Sequence, residues 1–245
     1  MNELIDPRRN LGIGSVKNMR DLGGYSCIND CKTRWGIFFR SGDMSEVNEA
    51  DQRTILSKGI GSIVDLRMNK EIIVAPNVFE KSRELFFINH DFWGTRFDDY
   101  RSTRKTATPT QKLADLYCKG LEVNGFVMAE IIKTFAYRPG SFIFHCRSGK
   151  DRTGLVAAIL LSIAGVAQDT ICADFGLSSE YLNEHELTKE ELKMPGAYQK
   201  GSDPETMRMT LAFLDQQYGG VISYLQRQGV TNEEIELVRK KIVDE

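Results

Sequence analysis

The apolar residues of this 245-residue chain follow two spacings, short runs typical of strands and longer stretches typical of helices. Four runs rich in β-branched and aromatic residues predict strands: GIFFRS (36–41), SIVDLR (62–67), ELFFIN (84–89) and SFIFHC (141–146). Between the first two, apolar residues at helical spacing predict a helix that begins at Ser45 and ends at Gly59. Residues 111–136 have the same spacing, interrupted near Asn124 and Gly125, and predict two helices.

Helical patterns dominate after residue 154. Residues 155–161 are apolar nearly all round, which predicts a buried helix. Further helix boundaries are predicted at Asp203-Pro204 (a start), Gly219-Gly220 (an end) and Thr231 with Glu234 (a capping box). Strand–helix alternation followed by helices predicts an α/β fold, with a mostly parallel central sheet flanked by helices and a helical C-terminal part. No repeat or linker divides the sequence, so we expect residues 1–245 to form one domain.

Composition narrows the class of protein. The net charge of −2 gives no reason to expect binding to nucleic acid or to a charged membrane surface. The longest apolar stretch, residues 154–166, is shorter than the roughly 20 residues that span a bilayer, and the first residues lack the apolar core of a secretory signal. The five cysteines are an odd number and are expected to be reduced thiols. We therefore expect a cytoplasmic monomer, with secretion without a recognisable signal peptide left open.

The sequence HCRSGKDRTG (145–154) joins the last predicted strand to the buried helix. Unpaired backbone N–H groups at the start of a helix converge on such a turn and favour an anion. Gly149 lets the backbone of the turn curl closely around a bound group. The turn is therefore predicted to hold a phosphate.

Cys146 and Arg152 are the candidate reactive pair. Helix N-termini and neighbouring cations favour the thiolate form of a cysteine, which is the nucleophile. A turn curled around an anion brings the Arg152 guanidinium beside the sulfur, where its planar fork can hold two phosphoryl oxygens. The Thr153 hydroxyl is expected to donate a hydrogen bond to the sulfur, and His145 to brace the turn through its ring nitrogens.

The pattern HC-x-x-G-x-x-R-T-G resembles the phosphate-binding signature of cysteine-dependent protein tyrosine phosphatases and dual-specificity phosphatases. The full HCRSGKDRTG resembles that of atypical bacterial tyrosine phosphatases that also accept phosphoinositides. Five other blocks stand in that family's order, so that the resemblance covers residues 16–240: NMRDLGGY (18–25), RSGDMSEV (40–47), SIVDLR (62–67), LVAAILLSIAGV (155–166) and YGGVISYLQRQGV (218–230). It implies a tyrosine-phosphatase-like fold, with Cys146 as nucleophile, Arg152 as the phosphate-binding arginine and the backbone of 147–152 as the cradle.

Further candidates lie in and near the turn. The expected substrate-binding residues are Arg147, Ser148, Gly149, Lys150 and Thr153. Lys150 is expected to contact phosphate or inositol, the alternative being a solvated surface charge. For Arg147 these two interpretations are evenly balanced. Arg20 and Asp21, in MRDLGG, are candidates for supporting the turn from below or for forming a turn of their own.

A leaving oxygen needs a proton, and the sequence offers two candidate acids. Asp91 follows the predicted strand 84–89, where many tyrosine phosphatases carry their acid, although no WPD tripeptide stands there. Asp151 lies inside the turn, beside Lys150 and Arg152, whose charges favour a carboxylate over a carboxylic acid. Asp91 is therefore the preferred acid, and Asp151 is expected to shape the turn or to assist.

The sequence thus predicts a phosphoric monoester hydrolase that acts through a phosphocysteine intermediate, without metal or other cofactor. The expected substrate is phosphotyrosine in a protein, with phosphoserine and phosphothreonine as further substrates, and the alternative is a phosphoinositide. A catalytically silent phosphate-binding module is disfavoured because both Cys146 and Arg152 are present. The polar segment 90–110 is expected near the site mouth, where Arg96, Arg101 and Arg104 either attract an anionic substrate or form a solvated face.

Overall fold

The computed structural model describes residues 3–94, 107–182 and 200–244. Its strands in these ranges are β1 (Arg20–Asp21), β2 (Lys32–Thr33), β3 (Phe38–Ser41), β4 (Ile60–Asp65), β5 (Phe86–Asn89), β6 (Ser141–His145) and β7 (Val243–Asp244). One sheet has the order β1-β3-β6-β4-β5, in which β1 is antiparallel to β3 and all other neighbours are parallel. β2 and β7 pair separately as an antiparallel ribbon. The four predicted strands and the mostly parallel sheet are confirmed.

The helices in the described ranges are α1 (Glu49–Ser57), α2 (Asn69–Val74), α3 (Pro109–Val123), α4 (Gly125–Tyr137), α5 (Asp151–Ala164), α6 (Gln168–Tyr181), α7 (Pro204–Tyr218), α8 (Val221–Arg227) and α9 (Asn232–Ile242). The predicted break near Asn124 is confirmed, because Asn124 ends α3 and immediately precedes α4. The predicted boundaries of α7 and the capping box of α9 are confirmed as well. None of the helices in the described ranges is long and apolar enough to cross a bilayer.

The predicted start of α1 at Ser45 is wrong. Asn48 caps this helix, because its side chain accepts a hydrogen bond from the Asp51 amide at 2.9 Å. The Ser45 amide instead donates to the Asp43 carboxylate in a preceding turn. Both residues are good caps in sequence, and the tertiary path of the chain decides between them.

The central sheet is buried on both faces. On β6, Phe142 and Phe144 pack into the larger apolar cluster with α3, α4 and α5, while Ile143 packs into a second cluster with α1 on the other side. The α5 helix is buried along most of its length, as its nearly uniform apolar composition predicts. Coverage of both faces is the usual arrangement for a parallel sheet.

The carboxyl ends of β3, β4 and β6 meet at one edge of the sheet. Ser41 and Asp65 are each in register with His145, the last residue of β6. The segments that follow the three strands therefore begin side by side. Ligands of open α/β sheets bind at this edge.

Candidate active site

Residues 146–150 form the turn between β6 and α5. Gly149 has φ +72°, a conformation that L side chains rarely adopt. A Cβ there would lie 2.5 Å from the carbonyl carbon and oxygen of Ser41, so the turn packs directly against the end of β3. Close packing on the neighbouring strand therefore requires glycine at this position.

The carbonyl groups of the turn are bonded to the surrounding scaffold. A backbone amide after β3 donates to the Arg147 carbonyl at 2.9 Å, and Asn18 Nδ2 donates to the Ser148 carbonyl at 3.1 Å. Arg40 Nη2 donates to the Gly149 carbonyl at 2.9 Å. Because N–H and C=O point in opposite directions in a trans peptide, the amides that follow Arg147 and Ser148 point away from this scaffold. They are oriented to donate to an anion at the start of α5.

Arg40 belongs to a buried ionic network around Asp174 of α6. The Asp174 carboxylate accepts hydrogen bonds from Arg20 Nε at 3.1 Å, Arg40 Nη1 at 2.5 Å and the Tyr25 hydroxyl at 2.8 Å. Burial alone would raise the pKa of Asp174, but the two guanidinium groups outweigh it and hold that pKa well below its ordinary value. Arg20 also donates to Asn18 Oδ1, and Asn18 in turn donates to the Ser148 carbonyl, so Arg20 supports the turn through Asn18.

Sequence reasoning missed Arg40 and Asp174. The available signal was Asp174 itself, a carboxylate between the apolar residues Cys172 and Phe175 of a helix. Asp21, by contrast, accepts the amides of Gly23 and Gly36 at 2.8 Å each, and burial raises its pKa to about 6. Of its two predicted roles, these contacts fit the turn-forming one.

His145 is buried beneath the turn and acts as a neutral ring. The Asn77 Oδ1 atom accepts the Phe79 amide, so Asn77 Nδ2 faces His145 Nε2 at 2.9 Å and donates to it. The ring proton then lies on Nδ1, which donates to the Cys146 carbonyl at 3.2 Å. Burial lowers the pKa of His145, although Asp65 stands 3.4 Å from Nε2 and opposes that shift. These hydrogen bonds fit the predicted role of His145, a side chain that braces the turn through its ring nitrogens.

Arg152, in the first turn of α5, is held by Glu71 of α2. Arg152 Nη1 and Nη2 donate to the two carboxylate oxygens at 2.5 and 3.0 Å. Burial opposes the charge of Arg152, but its electrostatic interaction with Cys146 and its hydrogen bonds and ion pair with Glu71 outweigh that cost and raise its pKa. Arg152 Nε is buried and has no hydrogen-bond partner among the described residues. A buried donor of this kind is costly unless a ligand oxygen meets it.

A cleft of about 520 Å³ opens above the turn. Its lining residues among those described are Lys17, Met68, Glu71, Trp93, Leu116, Arg147, Ser148, Asp151, Arg152 and Leu182. Cationic groups lie at the turn, and the apolar side chains form walls that suit an aromatic ring. Trp93 brings the start of the segment 90–110 to the cleft, whereas Arg96, Arg101 and Arg104 lie outside the described residues.

The two candidate acids occupy different environments. Asp151 lines the cleft, and its Oδ1 accepts a hydrogen bond from the Tyr117 hydroxyl at 2.5 Å. The Asp91 carboxylate accepts the Gly94 amide at 2.8 Å and the Asn69 amide at 3.3 Å, and it is not among the described residues that line the cleft. The geometry therefore favours Asp151 over the preferred acid of the sequence reasoning.

The remaining loop residues divide between cleft and interior. Arg147 is exposed and lines the cleft, together with the half-buried Ser148. Lys150 is only 2% exposed, which rules out the alternative of a solvated surface charge, and it is not among the described lining residues. Thr153 Oγ1 is buried without a hydrogen-bond partner among the described residues, so its predicted bond to the Cys146 sulfur is not formed here.

Comparisons with known proteins agree with this geometry. Residues 11–244 match the model of a family described as the tyrosine phosphatase family. The chain is 27% identical over 218 residues to a tyrosine-protein phosphatase of Nostoc commune, across 84% of this chain and 74% of that protein. It is 30% identical over 185 residues to a Cupriavidus necator protein named among the tyrosine-protein phosphatases, across 70% of this chain and 63% of that protein. It is 23% identical over 273 residues to the triple specificity protein phosphatase PtpB of Mycobacterium tuberculosis, across 92% of this chain and 98% of that protein.

Proposed function

Since the chain belongs to the tyrosine phosphatase family, we propose that it removes phosphate from phosphotyrosine by covalent catalysis at Cys146. It is a phosphoric monoester hydrolase. The observation that carries the assignment of residues is the state of Arg152. This guanidinium is buried in the first turn of α5, six residues after Cys146, and its Nε has no hydrogen-bond partner among the described residues.

The reaction proceeds in two displacements. In the first, the Cys146 thiolate attacks phosphorus, the bond between phosphorus and the tyrosine oxygen breaks, and Asp151 gives its proton to the leaving oxygen. Arg152 and the outward-facing amides of the turn hold the phosphoryl oxygens as their charge shifts. In the second, water attacks phosphorus, the phosphorus–sulfur bond breaks, and the Asp151 carboxylate takes the proton of the water.

Asp151 is proposed as the acid because of its place in the cleft. It follows the turn by one residue and lies beside Arg152, whereas both Asp91 oxygens accept backbone amides elsewhere. A placed general acid typically contributes about 10²–10⁴-fold, and its contribution grows as the leaving oxygen becomes more basic. The two candidates can therefore be separated by leaving-group dependence.

The test compares Asp151→Asn with Asp91→Asn on p-nitrophenyl phosphate and on phenyl phosphate. We expect Asp151→Asn to lose about 10²–10⁴-fold in kcat on phenyl phosphate and much less on p-nitrophenyl phosphate. Asp91→Asn is the matched control and should affect both substrates equally. The reverse pattern would return the role of the acid to Asp91. Rapid quenching followed by mass spectrometry should detect phosphate on Cys146, and its absence under single-turnover conditions would contradict covalent catalysis.

Phosphoinositides are the second candidate substrates. The exposed cations Lys17 and Arg147 line the cleft beside the turn, where they can bind a further anionic group. A relative, the M. tuberculosis PtpB, is named for triple specificity. A panel of phosphotyrosine peptides, phosphoserine peptides and short-chain phosphoinositides decides the preference, and the highest kcat/KM is expected on phosphotyrosine.

The proposed mechanism uses protein cations in place of a metal ion. The charge that develops on the phosphoryl group is met by Arg152 and by the start of α5. Turnover of p-nitrophenyl phosphate should therefore persist in EDTA and be abolished by vanadate. Loss of activity in EDTA, restored by a divalent cation, would contradict this part of the proposal.

A further inference from the structure

Tyr117 of α3 is a buried tyrosine whose hydroxyl reaches the candidate site. The side chain has 0% exposure and lies in the larger apolar cluster. Its hydroxyl donates a hydrogen bond of 2.5 Å to Oδ1 of Asp151, at the start of α5. Since α3 and α5 are distant in sequence, this bond exists only because the fold brings the two helices together.

The donor is fixed in place and stays protonated. The Tyr117 ring packs edge-on against Phe175 of α6, with 6.0 Å between ring centroids, so the direction of the hydroxyl is set by the core. Burial, together with the negative charge of Asp151 in its carboxylate form, raises the pKa of Tyr117 well above its ordinary value. Tyr117 therefore remains a donor throughout the working range of pH.

Arg152, one of the two cations next to Asp151 in the chain, is bonded to a different carboxylate. Its Nη1 and Nη2 donate to Glu71. A carboxyl group that accepts through Oδ1 presents Oδ2 as its second oxygen. Leu116, the residue before Tyr117, lines the same cleft as Asp151, which places the middle of α3 at the wall of the site.

We propose that Tyr117 is a positioning residue that holds Oδ1 of Asp151 so that Oδ2 carries the proton to the leaving oxygen. This inference rests on the proposed role of Asp151 as general acid. In the first displacement the proton passes from Oδ2 to the leaving oxygen, and in the second Oδ2 receives a proton from water. Tyr117 keeps its own proton in both steps and only restricts the rotation of the carboxyl group.

The experiment is a double-mutant cycle of Tyr117→Phe and Asp151→Asn, read on phenyl phosphate and p-nitrophenyl phosphate. Tyr117→Phe keeps the ring and its packing and removes the hydrogen bond. We expect kcat on phenyl phosphate to fall about tenfold, a part of the acid's contribution, with little change on p-nitrophenyl phosphate. In the Asp151→Asn background the same change should have no further effect, because the acid on which Tyr117 acts is gone.

Tyr224→Phe is the matched control. Tyr224 is equally buried, and its hydroxyl donates to the Leu121 carbonyl at 2.9 Å, near the end of α3. Tyr224→Phe should lower the midpoint of thermal unfolding without altering the ratio of kcat on phenyl phosphate to kcat on p-nitrophenyl phosphate. The positioning role would be overturned if Tyr117→Phe left the ratio of kcat on phenyl phosphate to kcat on p-nitrophenyl phosphate unchanged. It would also be overturned if Tyr117→Phe lowered kcat on phenyl phosphate as much in the Asp151→Asn background as in the wild type.

The outcomes separate the two proposals. If Asp151→Asn shows no leaving-group dependence, the general acid itself is wrongly assigned. If Asp151→Asn shows it and Tyr117→Phe does not, only the role of Tyr117 fails. Should Tyr117→Phe not fold, 3-fluorotyrosine at position 117 keeps the ring and makes the donor stronger. It is then expected to alter the phenyl phosphate rate and not the p-nitrophenyl phosphate rate, and no difference would contradict the proposal.

Discussion

At the residue scale, the pairing of Arg152 with Glu71 determines how the guanidinium faces the cleft. The two carboxylate oxygens accept one N–H from each terminal nitrogen of Arg152, which fixes the plane of the guanidinium and leaves Nε and the second N–H of Nη2 to hold a ligand. Burial alone would raise the pKa of Glu71, but the hydrogen bonds and charge of Arg152 outweigh it and lower that pKa. Glu71 therefore stays ionised at neutral pH and holds Arg152 ready for an incoming phosphoryl group.

Replacing Glu71 with Gln should loosen that orientation. One of the two hydrogen bonds and the charge attraction are lost, so we expect kcat/KM on p-nitrophenyl phosphate to fall about tenfold to a hundredfold. The matched control is Glu122→Gln, which removes the carboxylate of an exposed pair with Lys119 and should leave the rate unchanged. A Glu71→Gln enzyme with wild-type kinetics would show that Arg152 needs no such restraint.

Cys146 and Arg152 should differ in what their replacements retain. Cys146→Ser is expected to lower turnover more than about 10³-fold. It should keep vanadate or phosphate binding, because the turn amides and Arg152 remain. Arg152→Lys should lose binding as well, since an ammonium group lacks the bidentate fork. Calorimetry with phosphate distinguishes the two variants, and Cys146→Ser with more than a trace of turnover would contradict the proposed nucleophile.

At the scale of elements, the turn 146–150 is shaped by its neighbours as much as by its own residues. The end of β3 supplies the Ser41 backbone against which Gly149 packs, and Arg40 of the same strand holds the Gly149 carbonyl. The β1 side contributes Asn18 through the Ser148 carbonyl. These contacts hold the backbone of the turn with its amides facing the cleft.

Gly149→Ala should damage both stability and activity. The added methyl group would clash with the Ser41 backbone. The alanine would also have to adopt the positive φ of this position, which is unfavourable for an L side chain. Gly59→Ala is the control, because Gly59 has φ +74° but open space around its Cβ position. Backbone strain alone costs about 1 kcal/mol in the control, and Gly149→Ala should exceed that and abolish activity. If denaturant unfolding showed the same loss of unfolding free energy in Gly149→Ala and Gly59→Ala, the backbone near Ser41 would have to move at little cost, which would contradict this prediction.

At the scale of the whole molecule, Asp174 joins the sheet, α6 and the turn through buried charges. Arg20 lies on β1, Arg40 on β3 and Asp174 on α6, and all three are almost fully buried. Removing one member of such a network leaves uncompensated charge in the interior. The network therefore couples global stability to the conformation of the site.

Asp174 should make the protein sensitive to acid. Its folded-state pKa is lowered, so its stabilising effect is complete above its unfolded pKa of about 3.9 and is lost as pH falls through the folded value. Asp174→Asn should destabilise the protein by about 3–5 kcal/mol at neutral pH and flatten the loss of stability below about pH 4. Asp169→Asn, at an exposed position of the same helix, is the control. A variant at position 174 with unchanged acid unfolding would contradict this role.

The sequence alone determined four strands of the central sheet, the buried helix and the position of the turn between them. These features are local: a strand, a glycine-containing turn and a helix start are contiguous between residues 141 and 164, and each follows from spacing and residue type. The helix breaks at Asn124 and Gly219 were predictable for the same reason. The short helix α2 was not predicted, since six residues are too few to show a helical period.

Tertiary structure alone decided which distant residues serve the turn. Glu71 and Arg152 lie 81 positions apart, and Tyr117 and Asp151 lie 34 apart, so no spacing rule could pair them. The proposed preference for Asp151 over Asp91 as general acid also depends on contacts between separate elements. Position after a strand favoured Asp91 in the sequence, while the fold gives its oxygens to backbone amides and leaves Asp151 at the cleft. A side chain's chemical role depends on which partners occupy its donors and acceptors, and those partners are set by the packing of separate elements.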